Sequence, residues 1–454
     1  MQKYSIRFFK ILQDSIYFTF ANNNSIFFML YRPIWFFCVL IYRIFFRHFY
    51  VNYQKFNLKK PTILVSNHNN AFIDPIIFPA LIFERLYFIV RGDIFNTKIK
   101  HWLLWNLGQI PMFRIRDGVD NLKLNESSFD LCYDLLAKNK NILIFPEGDC
   151  VQEKRLRGLK RGTARMAFGA VEKHGWDIDL QLLPTMNNYT YPREFRTEVM
   201  TNVGEGIPLK DYRELYEQNE NKALSKLSND LEVAMKALYV HIDNKEDDTL
   251  FEQLASMKRN ENQVSAIPWR KNTGQRFEME KGLAEKINAL NISNASEKTE
   301  LILKTSAYFK KLRDLNISDN VVTKNSPNIF LGWIVAVLGF PIYTAGILLN
   351  IFQFQLAKHI ADKKIKQKIF QNSIRFGVLL FSNMMVGLLI VIIASSIHWL
   401  LAVISPLLLM LLAFYTINYH EFVQSWLEKM QFNGINKSDR EVCKTMRMEI
   451  LKSI

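Results

Sequence analysis

An α/β sheet with helices packed on its faces, followed by membrane-embedded helices, is the architecture this sequence predicts. Three observations predict it. Between residues 60 and 210, short aliphatic runs alternate with helical periodicities. In the last third, Ile329 to Ala357 and Phe376 to His420 run for 29 and 45 residues without Asp, Glu, Lys or Arg, lengths suited to the bilayer rather than to a soluble core. Across all 454 residues, Lys and Arg outnumber Asp and Glu by 58 to 43, giving a net charge of +15 at pH 7.

Taken in order, residues 1 to 55 form an amphipathic, aromatic-rich lead. It begins MQKYSIRFFKILQDSIYF, where Asp14 interrupts the apolar run and no small-residue cleavage site follows, so it reads as mature chain. Its strongest piece, Pro33 to Tyr42, lies between Arg32 and Arg43. As a helix its uncharged part is about 15 Å long, short against a bilayer core of about 30 Å. An interfacial helix anchored by Trp35, Arg43 and Arg47 fits that length; a short crossing with snorkelling arginines is the alternative.

Residues 56 to 215 carry the α/β pattern. The expected strands are Thr62 to Ser66, Leu86 to Val90, Asn141 to Phe145 and Asp179 to Leu183, with helices over roughly 75–84, 97–107, 122–138 and 160–174. Residues 216 to 328 are charged and mainly helical. The region 329 to 420 is bound in the membrane, and 45 charge-free residues suffice for paired crossings over 376–420 joined near Ser395 to Trp399. The basic stretch Lys358 to Arg375 and the basic tail 421–454 are both expected on the cytoplasmic side. One crossing by Ile329 to Ala357 would put the α/β domain on the other side, out of reach of a cytosolic donor. That segment, broken by Gly339-Phe340-Pro341, is therefore expected to dip in and return or to lie along the interface, a single crossing being the simpler hydropathy reading.

A strongly basic chain suits nucleic acid or an anionic membrane. The uncharged stretches favour the membrane, and no continuous basic groove with interleaved stacking residues supports nucleic acid. The cysteines, Cys38, Cys132, Cys150 and Cys443, are scattered with no CxxC or Cys/His cluster, which argues against a disulfide framework or a structural zinc site.

Four short motifs carry the chemistry, each with an ordinary structural explanation when taken alone. The first is Ser66-Asn67-His68-Asn69-Asn70-Ala71-Phe72-Ile73-Asp74-Pro75. Its His68 emerges at the carboxyl end of a strand, where open α/β sheets place ligands. One straight helix would set His68 and Asp74 about 240° apart, so the chain must bend to bring the carboxylate behind the imidazole. Neutral histidine suits removal of an alcohol proton near pH 7, and a carboxylate on the far ring nitrogen fixes the tautomer. The second, Gly108-Gln109-Ile110-Pro111-Met112-Phe113-Arg114-Ile115-Arg116, sets Arg114 and Arg116 on one side of an extended stretch, as paired guanidiniums that match phosphate. The third is Phe145-Pro146-Glu147-Gly148-Asp149. There Glu147 can accept from an acceptor hydroxyl and Gly148 permits close backbone approach, with Lys160 and Arg161 adding a positive rim. The fourth, Leu183-Pro184-Thr185-Met186-Asn187-Asn188-Tyr189, again follows a strand and is expected to wall the acyl or thioester end of the cleft, with Pro184 setting the turn.

Together, in this order over residues 60 to 210, these blocks resemble those of the glycerol-phosphate and lysophosphatidate acyltransferase superfamily: NHxxxxD, an arginine after G-x-I/F-P, FPEG, and V/I-P-x-x-x-N-Y. The resemblance implies a mixed sheet flanked by helices. It places catalysis on His68 and Asp74, acceptor binding on Arg114, Glu147 and Gly148, and the fourth block on Pro184, Asn188 and Tyr189. Five residues rather than four separate His68 from Asp74, similar to the HxNxFxDP block of fungal glycerol-3-phosphate and dihydroxyacetone-phosphate acyltransferases. The implied reaction moves a fatty acyl group from acyl-CoA or acyl-ACP to glycerol 3-phosphate or dihydroxyacetone phosphate, with 1-acylglycerol 3-phosphate as the alternative acceptor. A non-phosphate lysolipid acceptor and a non-catalytic membrane scaffold are the remaining rivals. No metal or bound cofactor is implied, the partners are membrane lipids, the acyl carrier and the acceptor, and the site is expected to face the cytoplasm.

Overall fold

The computed structural model describes residues 24–51, 56, 58–81, 85–114, 124–261, 273–323 and 328–454. Among them eight strands form one mixed sheet: β1 (His48–Val51), β2 (Thr62–Ser66), β3 (Leu86–Arg91), β4 (Gln109–Met112), β5 (Asn141–Ile144), β6 (Gln181–Tyr189), β7 (Glu198–Val203) and β8 (Ile207–Pro208). Their spatial order is β1-β7-β6-β2-β5-β3-β4, with β8 beside β6. All pairings are parallel except β6 with β7 and β6 with β8. This is the mixed sheet expected. β2 lies at its centre, Val65 opposite Ile144 on one side and Pro184 on the other.

Alternation along the central strands explains why both faces are covered. Ile63, Val65, Ile142, Ile144 and Leu182 point into a core shared with the helices Leu124–Ala137, Gly162–His174 and Glu220–Ala237. Leu64, Leu143 and Leu183 point the other way, onto Phe78 of Ile73–Leu81. Near-continuous apolar runs are what strands buried on both faces need. In chain order the helices used below are α1 (Asn24–Phe45), α2 (Ile73–Leu81), α3 (Lys98–Asn106), α4 (Leu124–Ala137), α5 (Gly162–His174), α6 (Glu220–Ala237), α7 (Asp248–Glu261), α8 (Thr273–Ser293), α9 (Ala295–Asp314), α10 (Ile329–His359), α11 (Lys368–Ser395), α12 (Trp399–Gly434) and α13 (Lys437–Lys452).

The fourth expected strand differs most. β6 starts two residues later than expected and runs on to Tyr189 with every residue buried. Pro184 therefore sits inside the strand rather than at a turn. It is tolerated there because the antiparallel neighbour changes at that point, from β8 at Gln181 and Leu182 to β7 at Thr185 onward. Its carbonyl accepts from the Gly204 N–H at 2.9 Å, and its missing N–H breaks no ladder bond on that side. Strands β1 and β7 lie outside the expected set: His48–Val51 falls within the lead, and Glu198–Val203 mixes three polar with three apolar residues and becomes a strand through its place in the sheet.

Of the lead, residues 1–23 lie outside the described residues, and α1 covers the rest. Its Ile41 and Phe45 are buried against α2 and α11. Two of the expected anchors also have partners within the protein: Trp35 donates its indole N–H to the Pro79 carbonyl at 2.6 Å, and Arg47 pairs with Glu421 at 3.3 Å. The side chain of Arg43 lies outside the described residues.

Helices α7 to α9 and α13 form a second core around Phe251, Leu254, Ile287, Tyr308, Val321 and Ile450, joined to the sheet through Met200 of β7. The chain from Ile329 to His359 is one continuous helix despite Pro341, so it does not turn back at Gly339-Phe340-Pro341. Three described helices, Ile329–Lys364, Lys368–Ser395 and Trp399–Gly434, are long and apolar enough to cross a membrane. These long apolar helices make the protein membrane-associated.

Candidate active site

The site is built on the exit of β2. Asn67, buried at the strand's end, accepts from the Asn187 N–H at 2.8 Å and donates to the Asn187 carbonyl at 3.0 Å, clamping the loop to β6. The chain then curls: the N–H groups of Ile73 and Asp74 donate to the Asn70 carbonyl at 3.0 and 2.9 Å, opening α2. This is the bend the spacing demanded. It returns the Asp74 carboxylate to His68 Nδ1, at 3.0 Å from Oδ2. Helix α2 begins at Ile73, so Asp74 stands in its first turn rather than capping it, and its carboxylate serves the loop behind it.

Asp74 is fully buried, and all its described donors come from the site. Oδ2 also accepts from the Asn70 N–H at 2.6 Å, and Oδ1 accepts from the Tyr189 hydroxyl at 2.6 Å. Burial and the neighbouring Asp74 charge push the Tyr189 phenol well above its usual range, keeping it a donor. His68 is fixed on three sides. Its ring stacks on Phe145 with centroids 4.2 Å apart, its N–H donates to Glu147 Oε1 at 3.2 Å, and its carbonyl accepts from the Val151 N–H at 3.0 Å. Its side chain keeps 19% exposure, so the edge opposite Asp74 can meet a substrate.

Glu147 is buried with both oxygens engaged: Oε1 as above, and Oε2 with Arg157 Nε at 3.2 Å. Burial raises its carboxyl above the usual value, against the lowering pull of the His68 N–H and Arg157. Arg157 also donates to the Asp149 carbonyl at 2.6 Å, closing the turn. Gly148 adopts φ +75°, and a Cβ there would meet Lys160 Nζ at 2.2 Å. The positive φ favours glycine there, whereas the flexible end of Lys160 could swing away from a side chain. Lys160 Nζ and Arg114 Nη1 stand 4.0 and 3.9 Å from Asp149. The second and third blocks thus meet around one carboxylate beside Gly148.

Arg116 lies outside the described residues. Arg161 is exposed at the start of α5, where its carbonyl accepts from Arg165. Asn188 is buried and holds the chain after α6, donating to the Leu238 carbonyl at 3.0 Å and accepting from the Val240 N–H at 2.8 Å. Burial and the Asp74 charge push the Cys150 thiol up, which removes the nearest sulfur as a thiolate nucleophile. Among the described residues no group of three or more His, Cys, Asp or Glu is placed to hold a metal.

Several contributors carried no local signal. Tyr239 donates to the Glu153 carbonyl at 2.7 Å and receives from Asn69 at 2.9 Å, 170 residues away in sequence. Ser373 on α11 accepts from the Phe72 N–H at 3.2 Å, tying the loop that carries His68 to a long apolar helix. Asp149, beside the FPEG block, could have been noticed from its place between the two cationic motifs.

The family model described as Acyltransferase matches residues 47–186. Over 253 residues the chain is 24% identical to glycerol-3-phosphate O-acyltransferase 1 of Saccharomyces cerevisiae, covering 54% of this chain and 32% of that protein. Over 120 residues it is 30% identical to a 1-acyl-sn-glycerol-3-phosphate acyltransferase of Chlamydomonas reinhardtii, covering 26% of this chain and 32% of that one. The chain thus spans about a third of the length of each of these relatives. The crystal structure of the 1-acyl-sn-glycerophosphate (LPA) acyltransferase PlsC from Thermotoga maritima aligns with 50% of this chain and 87% of its own, with 14% identity and a TM-score of 0.35. The sequence matches relate the domain to the glycerol-3-phosphate and lysophosphatidate acyltransferases at low to moderate identity.

Proposed function

We propose that this acyltransferase domain transfers a fatty acyl group from acyl-CoA or acyl-ACP to the hydroxyl of glycerol 3-phosphate or dihydroxyacetone phosphate, on the cytoplasmic face of a membrane. The observation that carries the reading is the His68–Asp74 contact of 3.0 Å beside the cations Arg114 and Lys160.

In this mechanism His68 takes the acceptor's hydroxyl proton on Nε2 while the oxygen attacks the thioester carbonyl. Asp74, on Nδ1, stabilises the imidazolium as it forms. The tetrahedral intermediate collapses, the carbon–sulfur bond breaks, and the thiolate leaves with the proton from the imidazolium. Arg114 and Lys160 hold the acceptor's phosphate once it displaces the carboxylate of Asp149. Glu147 and Tyr189 brace the base instead of touching substrate: one fixes the His68 backbone, the other the Asp74 carboxylate. Gly148 keeps the wall low enough for Lys160 to approach.

The spacing of His68 and Asp74, with Asn70, Phe72 and Pro75, favours the first acylation. The similarity to the Chlamydomonas enzyme favours the second reading, acylation of 1-acylglycerol 3-phosphate. Purified protein in detergent, given labelled acyl-CoA or acyl-ACP and each acceptor separately, distinguishes them by product. Transfer to glycerol 3-phosphate or dihydroxyacetone phosphate is expected; transfer to 1-acylglycerol 3-phosphate alone selects the second. His68→Ala lowers turnover by at least about a hundredfold. A variant that keeps full turnover rules out His68 as the base.

A further inference from the structure

Helix α3 joins β3 to β4 at one edge of the sheet, and its two sides differ in what covers them. Inward, His101 is buried, edge-on to Phe95 with ring centroids 5.5 Å apart and stacked on Trp105 at 6.0 Å. At roughly 100° per residue, Ile99 stands about 200° round the helix from His101, and Trp102 lies within about 60° of Ile99. Ile99 is 78% exposed and Trp102 50%. A single apolar residue on a surface is ordinary. An isoleucine and a tryptophan on one helix face instead set a large apolar area where water would meet it.

The lysines of the same helix are as poorly explained by local stability. Lys98 and Lys100 stand exposed in the first turn of α3, a helix with no acid among its residues. A helix N-terminus carries partial positive charge and favours anions, so cations there cost stability rather than contribute it. Lys100 finds a neutral partner, the Asn96 side-chain oxygen, at 3.1 Å. The acid just upstream, Asp93, is taken by Arg91. A negatively charged surface outside the protein offsets that cost.

The apolar face of α3 is also continuous with the long apolar helices that make the protein membrane-associated. Helix α3 packs against α1, and α1 packs against α11 and α12. Phe37 of α1 lies beside Gly387 of α11, where an added Cβ would stand 3.9 Å from its ring. Phe36, edge-on to Phe37 at 5.8 Å, is exposed, as are Met385 and Leu388 on α11. We infer that α3 is a membrane contact in its own right: Ile99 and Trp102 enter the interfacial layer of an anionic bilayer, and Lys98 and Lys100 meet its headgroups. Tryptophan suits that layer, with an apolar ring and one polar N–H. The contact fixes the height of the sheet edge that leads to Arg114, two residues beyond β4. The inference stands apart from the catalytic assignment and survives its failure.

The test uses the full chain in vesicles of phosphatidylcholine and phosphatidylserine, with a nitroxide on Ile99→Cys, Trp102→Cys or Val233→Cys and the signal of the unsubstituted chain subtracted. Val233, 70% exposed on α6, is the control, since α6 belongs to the core on the far side of the sheet from α2. Accessibility to oxygen and to a nickel chelate separates lipid, water and protein surroundings. High oxygen accessibility is expected at positions 99 and 102, with nickel accessibility at least about fivefold below that at Val233. Nickel accessibility equal to that at Val233 puts the face in water and overturns the inference. Low accessibility to both reagents puts protein over the face and overturns it equally. Omitting phosphatidylserine, or introducing Lys98→Gln with Lys100→Gln, should raise nickel accessibility at position 99 about twofold. A label indifferent to both changes overturns the assignment of the lysines to headgroups.

Discussion

At the scale of single residues, the proposed base and its carboxylate are held unequally, the carboxylate of Asp74 more firmly than the ring of His68. Asp74 accepts from His68, Asn70 and Tyr189 in full burial, where a lost partner is felt strongly because water cannot replace it. A hydrogen bond to a charged group contributes about 1.5–3 kcal/mol. Tyr189→Phe should therefore lower kcat about tenfold or more, with the acceptor KM little changed and the melting temperature nearly preserved; a rise in KM alone would return Tyr189 to substrate contact. Asp149 acts in the opposite sense. Its carboxylate stands about as far from Arg114 as from Lys160, and a half-exposed pair of this kind is worth about 0.2–1 kcal/mol. Asp149→Asn should lower the KM for a phosphate acceptor by a factor of about 2–5, while Arg114→Ala raises it. Steady-state kinetics with glycerol 3-phosphate read both, and an Asp149→Asn enzyme with unchanged KM would detach that residue from the anion site.

At the scale of elements, the helical extension is fastened to the sheet by a buried ion network. Glu280 of α8 pairs with Arg259 of α7 at 2.7 Å and with Arg276 at 2.8 Å. Arg276 reaches Thr190 at 2.7 Å and pairs with Glu198 of β7. Burial alone would raise the Glu280 carboxyl, but the two guanidiniums overcome it and hold it well below the usual carboxylate range. Because its folded value is depressed, its contribution is present above the ordinary value near 4.5 and is lost as pH falls below it. Melting temperatures measured between neutral and acid pH should fall more steeply for the native chain than for Glu280→Gln. At neutral pH that variant should be less stable by about 3–5 kcal/mol, the cost of leaving buried charge unpaired; parallel pH curves would remove Glu280 from the acid response. Glycines separate packing from propensity. Gly339→Val drives a side chain into Tyr415 and Tyr419 and should lower the melting temperature in detergent, whereas Gly282→Ala, with nothing near its new Cβ, should stabilise α8 by about 0.5–1 kcal/mol.

At the scale of the whole molecule, the sheet, the helical extension and the three long apolar helices meet at the loop 190–197, which lies directly after the strand that carries Tyr189. The acid of the candidate site is thus one strand away from the contact with all three apolar helices. Apolar burial, rather than charge, should hold the protein on its membrane, despite a net charge of +15. High salt and alkaline carbonate washes should leave it in the membrane pellet, and detergent should release it; release by salt alone would show that the lysines, and not the long apolar helices, provide the anchor.

The central sheet and its helices were legible because their residues must be buried on both faces, and burial on both faces writes itself into composition: β2, β3 and β5 lie where their aliphatic runs placed them. The contact of His68 with Asp74 was legible for a related reason, since an imidazole and a carboxylate separated by one bend are local in sequence. Charge-free length likewise announced the apolar helices. Only the tertiary structure decided how long β6 is, that Pro184 lies inside it where the neighbouring strand changes, that Asn188 and Tyr189 face inward, and that α10 packs along α12 through Tyr415, Tyr419 and Trp426. Each of these depends on contacts between segments far apart in the chain, Tyr189 with Asp74, Asn188 with Val240, Phe195 with Phe354. Periodicity reports which side of an element is apolar, but it carries no record of what arrives to cover it.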